Sequence, residues 1–363
     1  MKRAIIFFGF QNPRVHKRGV ENVIAAQAHV LNGYRKYYVF FDSKSSVARW
    51  GDIVSIGIKH NPARFLFLNM LVWVLLRRLK KRSYHVIFHS HNYLMSLFLW
   101  WRTDAFTVHD GLWYQKKTYG SRIAPFFYLV ERIVYRRVGH VHCDSEFTYR
   151  NSLLKASGKA PTVIHCTTPF ERLEEQGLQG QRHLAPVNRY MILSVRSIER
   201  RARIDLLIDA AERSQHENLP FIFVVAGKGP LLEHFRNEIS TKRLKNIELL
   251  GYVSDLELVR LYAGCDAVLM TCEDGEGFGL PVIEGYLFGK PVIASNRCAV
   301  PEIVFSQDYL VENDALDILN RLMALVGSQI CGESFTAYYR KRFSNRVYES
   351  NFSAFYGIVF QTP

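Results

Sequence analysis

Short apolar segments alternate with helical segments along most of this 363-residue chain, and this alternation constrains the fold more than any other feature. Near-continuous apolar runs of strand length are typical of parallel sheets that helices cover on both faces. The length suits two domains better than one core. The sequence therefore predicts an α/β fold with two doubly wound, Rossmann-like domains that face a central cleft. The predicted strands are 4–10, 37–41, 52–58, 85–90, 105–110 and 140–144 in the first half, and 191–195, 221–227, 247–251, 267–271 and 291–295 in the second.

The predicted boundary between the domains lies in 171–188, a polar stretch without a helical or strand period. The N-terminal domain is predicted to cover 1–175 and the C-terminal domain 189–345. Doubly wound sheets bind ligands beyond the carboxyl ends of their strands. Residues that directly follow strands are therefore the first candidates for function.

Positive charge is concentrated in the first half of the chain. Residues 1–180 hold 27 Lys and Arg against 11 Asp and Glu, whereas 181–363 hold 20 against 22, and the whole chain has a formal charge of +14. A basic half joined to a neutral half indicates that one half meets an anionic partner. Nucleic acid, a phospholipid surface and a diphosphate-bearing substrate are the candidates on this ground.

A basic cluster at 77–82 follows a mostly apolar run at 65–76, which Asn69 interrupts. The run is too short to span a bilayer. An apolar helix that ends in basic residues fits a helix lying in the interface of an anionic membrane. It also fits a buried helix of the first domain with a solvated basic end, and the sequence leaves both alternatives open.

The cysteine spacing and the first residues of the sequence indicate in which cellular compartment the protein is expected. None of the six cysteines forms a C-x-x-C pair, and Met1 leads directly into a short apolar strand rather than a signal peptide. The cysteines are therefore expected to be reduced core residues of a cytosolic protein.

The segment EDGEGFGLPVIEGYLFGKPVIAS, 273–295, joins two predicted strands through a glycine-rich turn and a helix. Pro281 suits the first turn of a helix and Gly289 suits the residue after its end, so a helix is predicted over about 281–288. The N-terminus of such a helix offers free N–H groups and a partial positive charge. This combination favours a cradle for a phosphate or a sugar.

This segment closely resembles the E-x7-E signature of the family 4 retaining glycosyltransferases, which have the GT-B fold. Its first glutamate, Glu276, precedes the helix, and the second, Glu284, lies inside it, so the two can contact two parts of one extended ligand. The resemblance implies that Glu284 binds the ribose of a nucleotide-sugar and that Glu276 contacts the donor sugar. It also implies that the turn at Phe278, Gly279 and Leu280 approaches the sugar and the diphosphate.

The loop after strand 191–195 resembles the same family's phosphate-binding loop. Arg196 matches the family's arginine, and the family's lysine is expected to be replaced by Arg201 or Arg203, with Arg201 preferred. Fixed cations at this place would stabilise the negative charge that departs with the nucleotide diphosphate. A second turn, at 223–235, matches the family at two glycines that are implied to lie near the base, Gly227 and Gly229.

In the first half, Gly19 matches a glycine-rich loop that the resemblance places over the diphosphate and the acceptor. His109, near the end of strand 105–110, matches a histidine that is implied to face the donor sugar and the acceptor hydroxyl. His89 and His91 have no acid or cysteine at metal-binding spacing and are interpreted as cleft-lining polar residues. The resemblance also implies that 346–363 form a last helix that crosses back to the N-terminal domain.

Together these features predict a retaining glycosyltransferase. It would move a sugar from a UDP- or GDP-sugar to a hydroxyl of a lipid-linked saccharide, in the synthesis of a bacterial capsule, exopolysaccharide or O-antigen. Catalysis would rest on Glu276, His109 and Arg196. No D-x-D motif is present to hold a metal, so neither a metal nor another cofactor is expected. The basic half predicts an enzyme bound peripherally to the inner face of the cytoplasmic membrane, with no nucleic-acid partner.

Two alternatives remain at the level of sequence. One is a related nucleotide-sugar epimerase with the same fold. The other is a non-catalytic protein that senses a sugar nucleotide and binds membrane or nucleic acid through its basic half. Turnover of a nucleotide-sugar and its transfer to an acceptor would separate the transferase from both.

Overall fold

The structure is a computed structural model, which describes residues 2–13, 19–109, 111–118, 120–175, 189–328 and 331–361. The chain divides into two compact units, one formed by 1–166 with 348–363 and the other by 167–347. The first unit thus ends at Cys166, and the short helix Glu171–Glu175 belongs to the second. The rest of the predicted boundary segment lies outside the described residues.

The described part of the first unit contains an eight-stranded sheet. Its strands are β1 (Lys2–Phe8), β2 (Arg35–Asp42), β3 (Ser46–Trp50), β4 (Ile53–Lys59), β5 (Tyr84–Ser90), β6 (Ala105–Val108), β7 (His140–Cys143) and β8 (Thr162–Val163). The strand order is β3-β4-β2-β1-β5-β6-β7-β8, and every pairing is parallel except that of β3 with β4. The helices are α1 (Gly19–Val30), α2 (Arg64–Lys80), α3 (Tyr93–Phe98), α4 (Leu112–Thr118), α5 (Ala124–Arg137) and α6 (Glu146–Asn151).

The described part of the second unit contains a six-stranded, fully parallel sheet. Its strands are β9 (Tyr190–Val195), β10 (Phe221–Ala226), β11 (Ile247–Gly251), β12 (Ala267–Met270), β13 (Val292–Ser295) and β14 (Leu310–Val311), in the order β11-β10-β9-β12-β13-β14. The helices are α7 (Glu171–Glu175), α8 (Ile204–His216), α9 (Leu232–Thr241), α10 (Asp255–Gly264), α11 (Leu280–Leu287), α12 (Ala315–Leu325) and α13 (Gly332–Arg342), followed by α14 (Asn345–Gln361).

Strand β1 shows why the strands are apolar at nearly every position. Ile5 and Phe7 pack with α1 and α14 on one face of the sheet. Ile6 and Phe8 point to the opposite face and pack with α2. Because successive side chains of a strand alternate between faces, a sheet covered on both sides needs apolar residues throughout. The prediction of doubly wound parallel sheets is confirmed.

Three strands were not predicted from the sequence: β3, β8 and β14. The last two have two residues each, which is too short for a recognisable pattern. Strand β3 lies antiparallel at the edge of its sheet, and its residues alternate between partial burial and exposure. It therefore lacks the continuous apolar run that identified the other strands.

Helix α2 has a buried apolar face and an exposed apolar face. One face, with Leu68, Val72 and Leu76, is buried in the core of the first unit. On the other face, Phe67 and Trp73 are about half exposed, at 47% and 51%. Among the described residues, none of the helices combines the length and the apolar character that crossing a bilayer requires.

The interpretation of all six cysteines as core residues is wrong for two of them: Cys298 is partly exposed and Cys331 is exposed. The last helix, predicted over 346–363, is α14, which spans Asn345–Gln361 and follows the separate helix α13 that ends at Arg342. The Asn345 backbone N–H donates to a Glu171 carboxylate oxygen at 2.6 Å and so caps the new helix from a distant part of the chain. From Tyr348 onward, α14 packs in the core of the first unit.

Candidate functional site

The strand order of the second unit brings two loops of interest together. Strand β9 lies between β10 and β12, so the direction in which strands are added reverses at β9. Ligands of open α/β sheets bind at this reversal, beyond the carboxyl ends of the two strands. The loop after β9 begins with Arg196. The loop after β12, residues 271–279, is called the signature loop below.

Helix α11 begins where the signature loop ends. Gly279 has a φ of +100°, and a side chain there would also crowd the sulfur-bearing end of Met270 at 3.1 Å. Leu280 and Pro281 form the first turn, and Gly289, at φ +65°, follows the end of the helix. The helix was predicted over 281–288 and is found one residue earlier at each end. Its N-terminal N–H groups are those of the glycine turn and the first helical residues.

Glu276 and Arg196 form an ion pair at the reversal. Arg196 Nη1 donates to Glu276 Oε2 at 2.8 Å, and the two side chains are only 8% and 16% exposed. Burial alone would raise the pKa of Glu276, but the charges of Arg196 and Arg201 outweigh it and lower this pKa. Glu276 is therefore ionised at neutral pH. The buried Nε of Arg196 has no hydrogen-bond partner among the described residues and remains able to donate.

Of the two arginines considered for the diphosphate, Arg203 is held by two acids. It contacts Asp205 and Glu273, and its backbone has a φ of +52°. Arg201 pairs with Glu199 at 2.8 Å and donates to the Gly275 carbonyl oxygen at 3.1 Å. Arg201 therefore lies against the signature loop, and its preference over Arg203 as the diphosphate ligand stays a prediction.

Glu284 is buried inside α11, with 7% exposure. Tyr262 Oη donates to its Oε2 at 2.6 Å, and Thr168 Oγ1 donates to its Oε1 at 3.2 Å. Burial raises the pKa of Glu284 to about 7, although both hydrogen bonds oppose this shift. Neither partner was predictable from local sequence, since Thr168 is 116 residues away from Glu284 along the chain and Tyr262 is 22 residues away.

The other predicted donor-site residues have local roles that the structure explains. The Phe278 ring is buried against Phe343, with ring centroids 6.2 Å apart, while its backbone N–H bonds the Glu276 carboxylate. A Cβ at Gly227 would lie 1.7 Å from the Arg196 carbonyl oxygen, and one at Gly229 would lie 2.1 Å from that of Ile198. These glycines let the loop after β10 pack closely on the loop after β9. Their contact with a nucleotide base stays a prediction.

In the first unit, His109 is part of a buried chain of polar side chains. Its Nδ1 lies 2.6 Å from Asp144 Oδ2, and its Nε2 lies 2.8 Å from Nδ1 of His91. Burial raises the pKa of Asp144, but the electrostatic interaction and the hydrogen bond with His109 outweigh it and lower this pKa. Because an ionised carboxylate can only accept, Nδ1 of His109 carries the hydrogen. Asp144 thereby fixes the orientation of the His109 ring.

The interpretation of His89 and His91 as cleft-lining residues is wrong. Both are buried in the first unit, with exposures of 0% and 1%, and their rings stack at a centroid distance of 4.8 Å. Burial lowers the pKa of each well below its ordinary value. His91 contacts His109 directly, a contact that the spacing H-x-H did not indicate.

Gly19, the remaining predicted residue, is the first residue of α1 in the first unit. The five residues before it lie outside the described part of the chain.

In the second unit, the structure brings Glu276, Arg196, Arg201 and Glu284 together around one end of the sheet. Within the described ranges, no cluster of three or more His, Cys, Asp and Glu side chains is arranged to hold a metal ion.

Comparisons with known proteins agree with this architecture. The profile of the group 1 glycosyl transferases matches residues 177–342. An uncharacterized glycosyltransferase of Methanocaldococcus jannaschii is 31% identical over 129 residues, 35% of either chain. The O-antigen chain mannosyltransferase C of Escherichia coli is 34% identical over 92 residues, 25% of this chain and 24% of the relative. The matches thus span about a third or less of these two relatives.

Solved structures match over the whole chain. The sucrose-phosphate synthase of Thermosynechococcus elongatus superposes with a TM-score of 0.76 at 16% identity and covers 100% of both chains. The Anabaena protein HepE, solved in complex with UDP and glucose, superposes with a TM-score of 0.71 at 15% identity, over 97% of this chain and 99% of HepE. Residues 177–342 are therefore similar to the group 1 glycosyl transferases, and the chain has the GT-B fold.

Proposed function

We propose that this protein is a retaining glycosyltransferase. It transfers a sugar from a nucleoside-diphosphate sugar, with UDP or GDP as the nucleotide, to a hydroxyl of a lipid-linked saccharide during synthesis of a bacterial surface polysaccharide. The observation that carries the proposal is the buried Arg196–Glu276 pair at the N-terminal end of α11. The relatives named O-antigen chain mannosyltransferases support the process, and the HepE complex with UDP and glucose supports a nucleotide-sugar donor.

The donor would lie with its diphosphate at the N-terminus of α11. Arg196, Arg201 and the free N–H groups there supply positive charge, which stabilises the nucleotide diphosphate as it departs. This arrangement offers protein groups for the task that a divalent metal performs elsewhere, so we expect transfer to continue in EDTA. The Glu284 carboxylate would accept hydrogen bonds from the ribose, and the Glu276 carboxylate from the sugar.

Retention would follow from attack on the same face that the diphosphate leaves. The acceptor oxygen forms its bond to the anomeric carbon while the bond from that carbon to the phosphate oxygen breaks, and the departing oxygen takes the acceptor proton. Glu276 is ion-paired rather than free, which favours a positioning and electrostatic role over a nucleophilic one. His109, oriented by Asp144, would contact the donor sugar and the acceptor hydroxyl.

The first unit presents a surface that suits a lipid-linked acceptor. Phe67 and Trp73 of α2, with Trp100 after α3 at 65% exposure, are exposed aromatic groups. Asn69 of α2 hydrogen-bonds the backbone of Phe98 and Trp100, which joins the segment after α3 to α2. The basic cluster 77–82, which begins in the last turn of α2, adds positive charge. Aromatic and basic groups together bind the interface of an anionic membrane. We therefore propose a peripheral position on the inner face of the cytoplasmic membrane.

A donor screen tests the proposed reaction. The purified protein is incubated with UDP-, GDP- and ADP-sugars in EDTA, and thermal stabilisation and nucleotide release are measured. One nucleotide-sugar should stabilise the protein and be hydrolysed slowly. Glu284→Ala should abolish both effects, whereas Glu248→Ala, at an exposed position of β11, should not. Binding without turnover, even with acceptor extracts, would instead support the non-catalytic sensor, and release of a sugar altered at one carbon would support the epimerase.

Vesicle sedimentation tests the membrane proposal. The protein should sediment with vesicles that contain phosphatidylglycerol and stay in solution with pure phosphatidylcholine. Trp73→Asn should weaken the sedimentation, since it removes an exposed aromatic group and leaves the buried face of α2 intact. Val47→Asn, an exposed apolar position on the edge strand β3, is the matched control. Equal binding to neutral vesicles would contradict the proposal.

A further inference from the structure

Two cysteines meet beside the signature loop. Strands β12 and β13 are parallel neighbours, so the loops that follow them lie side by side. Cys272 follows β12, and its backbone N–H donates to the Ser295 hydroxyl at the end of β13, at 3.1 Å. Cys298 lies in the loop after β13. The Cys298 sulfur lies 3.3 Å from the carbonyl oxygen of Glu273, the residue after Cys272, and the Cys272 thiol donates to the Cys298 sulfur.

Cys298 differs from the buried cysteines of the chain in three ways. It is partly exposed, whereas Cys272 is fully buried. Its backbone has a φ of +54°, a conformation that residues other than glycine rarely adopt. Its thiol donates to the Glu273 carbonyl oxygen at 3.3 Å, which fixes the sulfur against the signature loop.

The surroundings of Cys298 also favour its thiolate. The hydrogen bond from Cys272 lowers the pKa of Cys298, and backbone N–H groups of Glu276 and Gly275 lower it further, against the opposing effect of burial. An accessible thiol of this kind next to a second thiol has the arrangement of a redox-sensitive pair. In a reducing compartment, such a pair is oxidised only transiently.

We propose that Cys272 and Cys298 form a reversible disulfide when the protein meets a peroxide. The Cys298 thiolate attacks one peroxide oxygen, the O–O bond breaks, and the sulfur is oxidised to a sulfenic acid as hydroxide leaves. The Cys272 sulfur then attacks the sulfenic sulfur. The S–S bond forms, the S–O bond breaks, and the Cys272 proton leaves with the hydroxide as water. A dithiol such as dithiothreitol reverses the reaction.

The disulfide would tie the signature loop to the segment after β13. The Ala299 backbone N–H already donates to the Glu276 carbonyl oxygen at 3.4 Å, so movement at Cys298 is transmitted to Glu276. We expect oxidised protein to transfer sugar more slowly, by up to about 100-fold, because small displacements of positioning groups are that costly. This consequence rests on the proposed function, whereas formation of the disulfide does not.

Peptide mass spectrometry tests the disulfide directly. The full-length protein is treated with one to two equivalents of hydrogen peroxide, its free thiols are alkylated, and it is digested with trypsin. Cleavage after Arg297 separates Cys272, in peptide 261–297, from Cys298, in peptide 298–321. The two peptides should appear joined, and dithiothreitol should release them. The disulfide-linked pair of peptides should still form in Cys265→Ser, which removes the other cysteine of the first peptide. It should not form in Cys272→Ser.

Oxidation of the exposed Cys331 without a joined peptide would overturn the proposal, because it would show that the oxidant was active. Accumulation of a sulfinic acid on Cys298 would overturn it as well. A second arm measures nucleotide-sugar binding and turnover before and after peroxide. Wild type should lose activity and Cys298→Ser should keep it, and equal activity of the joined and reduced proteins would refute the regulatory consequence. Failure of the reduced protein to bind any nucleotide-sugar would refute the proposed function, and the joined peptides would still establish the disulfide.

Discussion

The buried Glu284 carboxylate should make donor affinity depend on pH. Its pKa is about 7 because burial disfavours the charge, against an ordinary value near 4.5. Ribose hydroxyls donate hydrogen bonds to the ionised carboxylate and would therefore bind the deprotonated form. Donor affinity should rise as the pH increases through 7.

The size of this effect follows from the ionised fraction. With a pKa of about 7, the group is ionised to about 3% at pH 5.5 and to about 90% at pH 8, so affinity should rise by up to about 30-fold over this range. Stability should change in the opposite direction. Since the folded pKa is raised, the stabilising contribution of the protonated acid is present below about pH 4.5 and is lost as the pH rises through 7, a difference of about 3 kcal/mol.

Titration calorimetry at pH 5.5, 6.5, 7.5 and 8 provides the measurement, with the nucleotide-sugar that the donor screen identifies. The diphosphate of a nucleotide-sugar is a diester and does not titrate here, so the protein dominates the change. Glu284→Gln should bind weakly with little pH dependence, and the exposed Glu248→Gln should behave as wild type. Urea unfolding at the same pH values should show the fall in stability in wild type and a flatter profile in Glu284→Gln. An affinity that is constant or falls with pH, equally in wild type and Glu284→Gln, would refute the reasoning.

Three further predictions concern the two loops of the site and helix α2. Arg196→Met leaves the Glu276 carboxylate buried without its paired cation, which should cost about 3 kcal/mol of stability. In thermal unfolding, the double variant Arg196→Met with Glu276→Leu should regain stability, but it should not regain turnover. Recovery of turnover in the double variant would contradict the proposed role. Asn69→Leu should lower the free energy of unfolding by about 1 to 3 kcal/mol in urea titration, because the part-buried Phe98 carbonyl and Trp100 N–H lose their side-chain partner. A neutral change would contradict the described hydrogen bonds. Gly227→Ala should displace the loop after β9 and abolish donor-induced thermal stabilisation, since its Cβ would lie 1.7 Å from a carbonyl oxygen. Gly357→Ala places no atom within 4 Å of the new Cβ and should instead stabilise α14 by up to about 1 kcal/mol.

The segment 65–82 shows what an apolar sequence pattern leaves undetermined. The apolar run predicts a helix, and its length excludes a span. It does not divide the apolar residues between core and surface, because nearly every position is apolar. Packing of Leu68 and Val72 against the first sheet makes that division and leaves Phe67 and Trp73 outside. Asn69, which interrupts the run, proves to be the residue that joins α2 to the segment after α3.

The sequence by itself determined the features that obey local rules. Apolar runs of strand length specify parallel sheets, Gly279 and Pro281 specify the turn and the start of α11, and Arg196 follows its strand directly. Each depends on backbone geometry or on a period of a few residues, which neighbouring positions are enough to encode. The resemblance of the signature loop to a known family added the roles of these residues.

Only the tertiary structure decided which side chains meet. Arg196 reaches Glu276 because β9 lies beside β12, and Cys298 reaches Cys272 because β13 lies on the other side of β12. Tyr262 and Thr168 reach Glu284 from two further parts of the chain. Strand order is a property of the whole sheet and leaves no periodic trace in the sequence. The ionisation of Glu276 and the raised pKa of Glu284 follow from these contacts and from burial, both of which exist only in the folded chain.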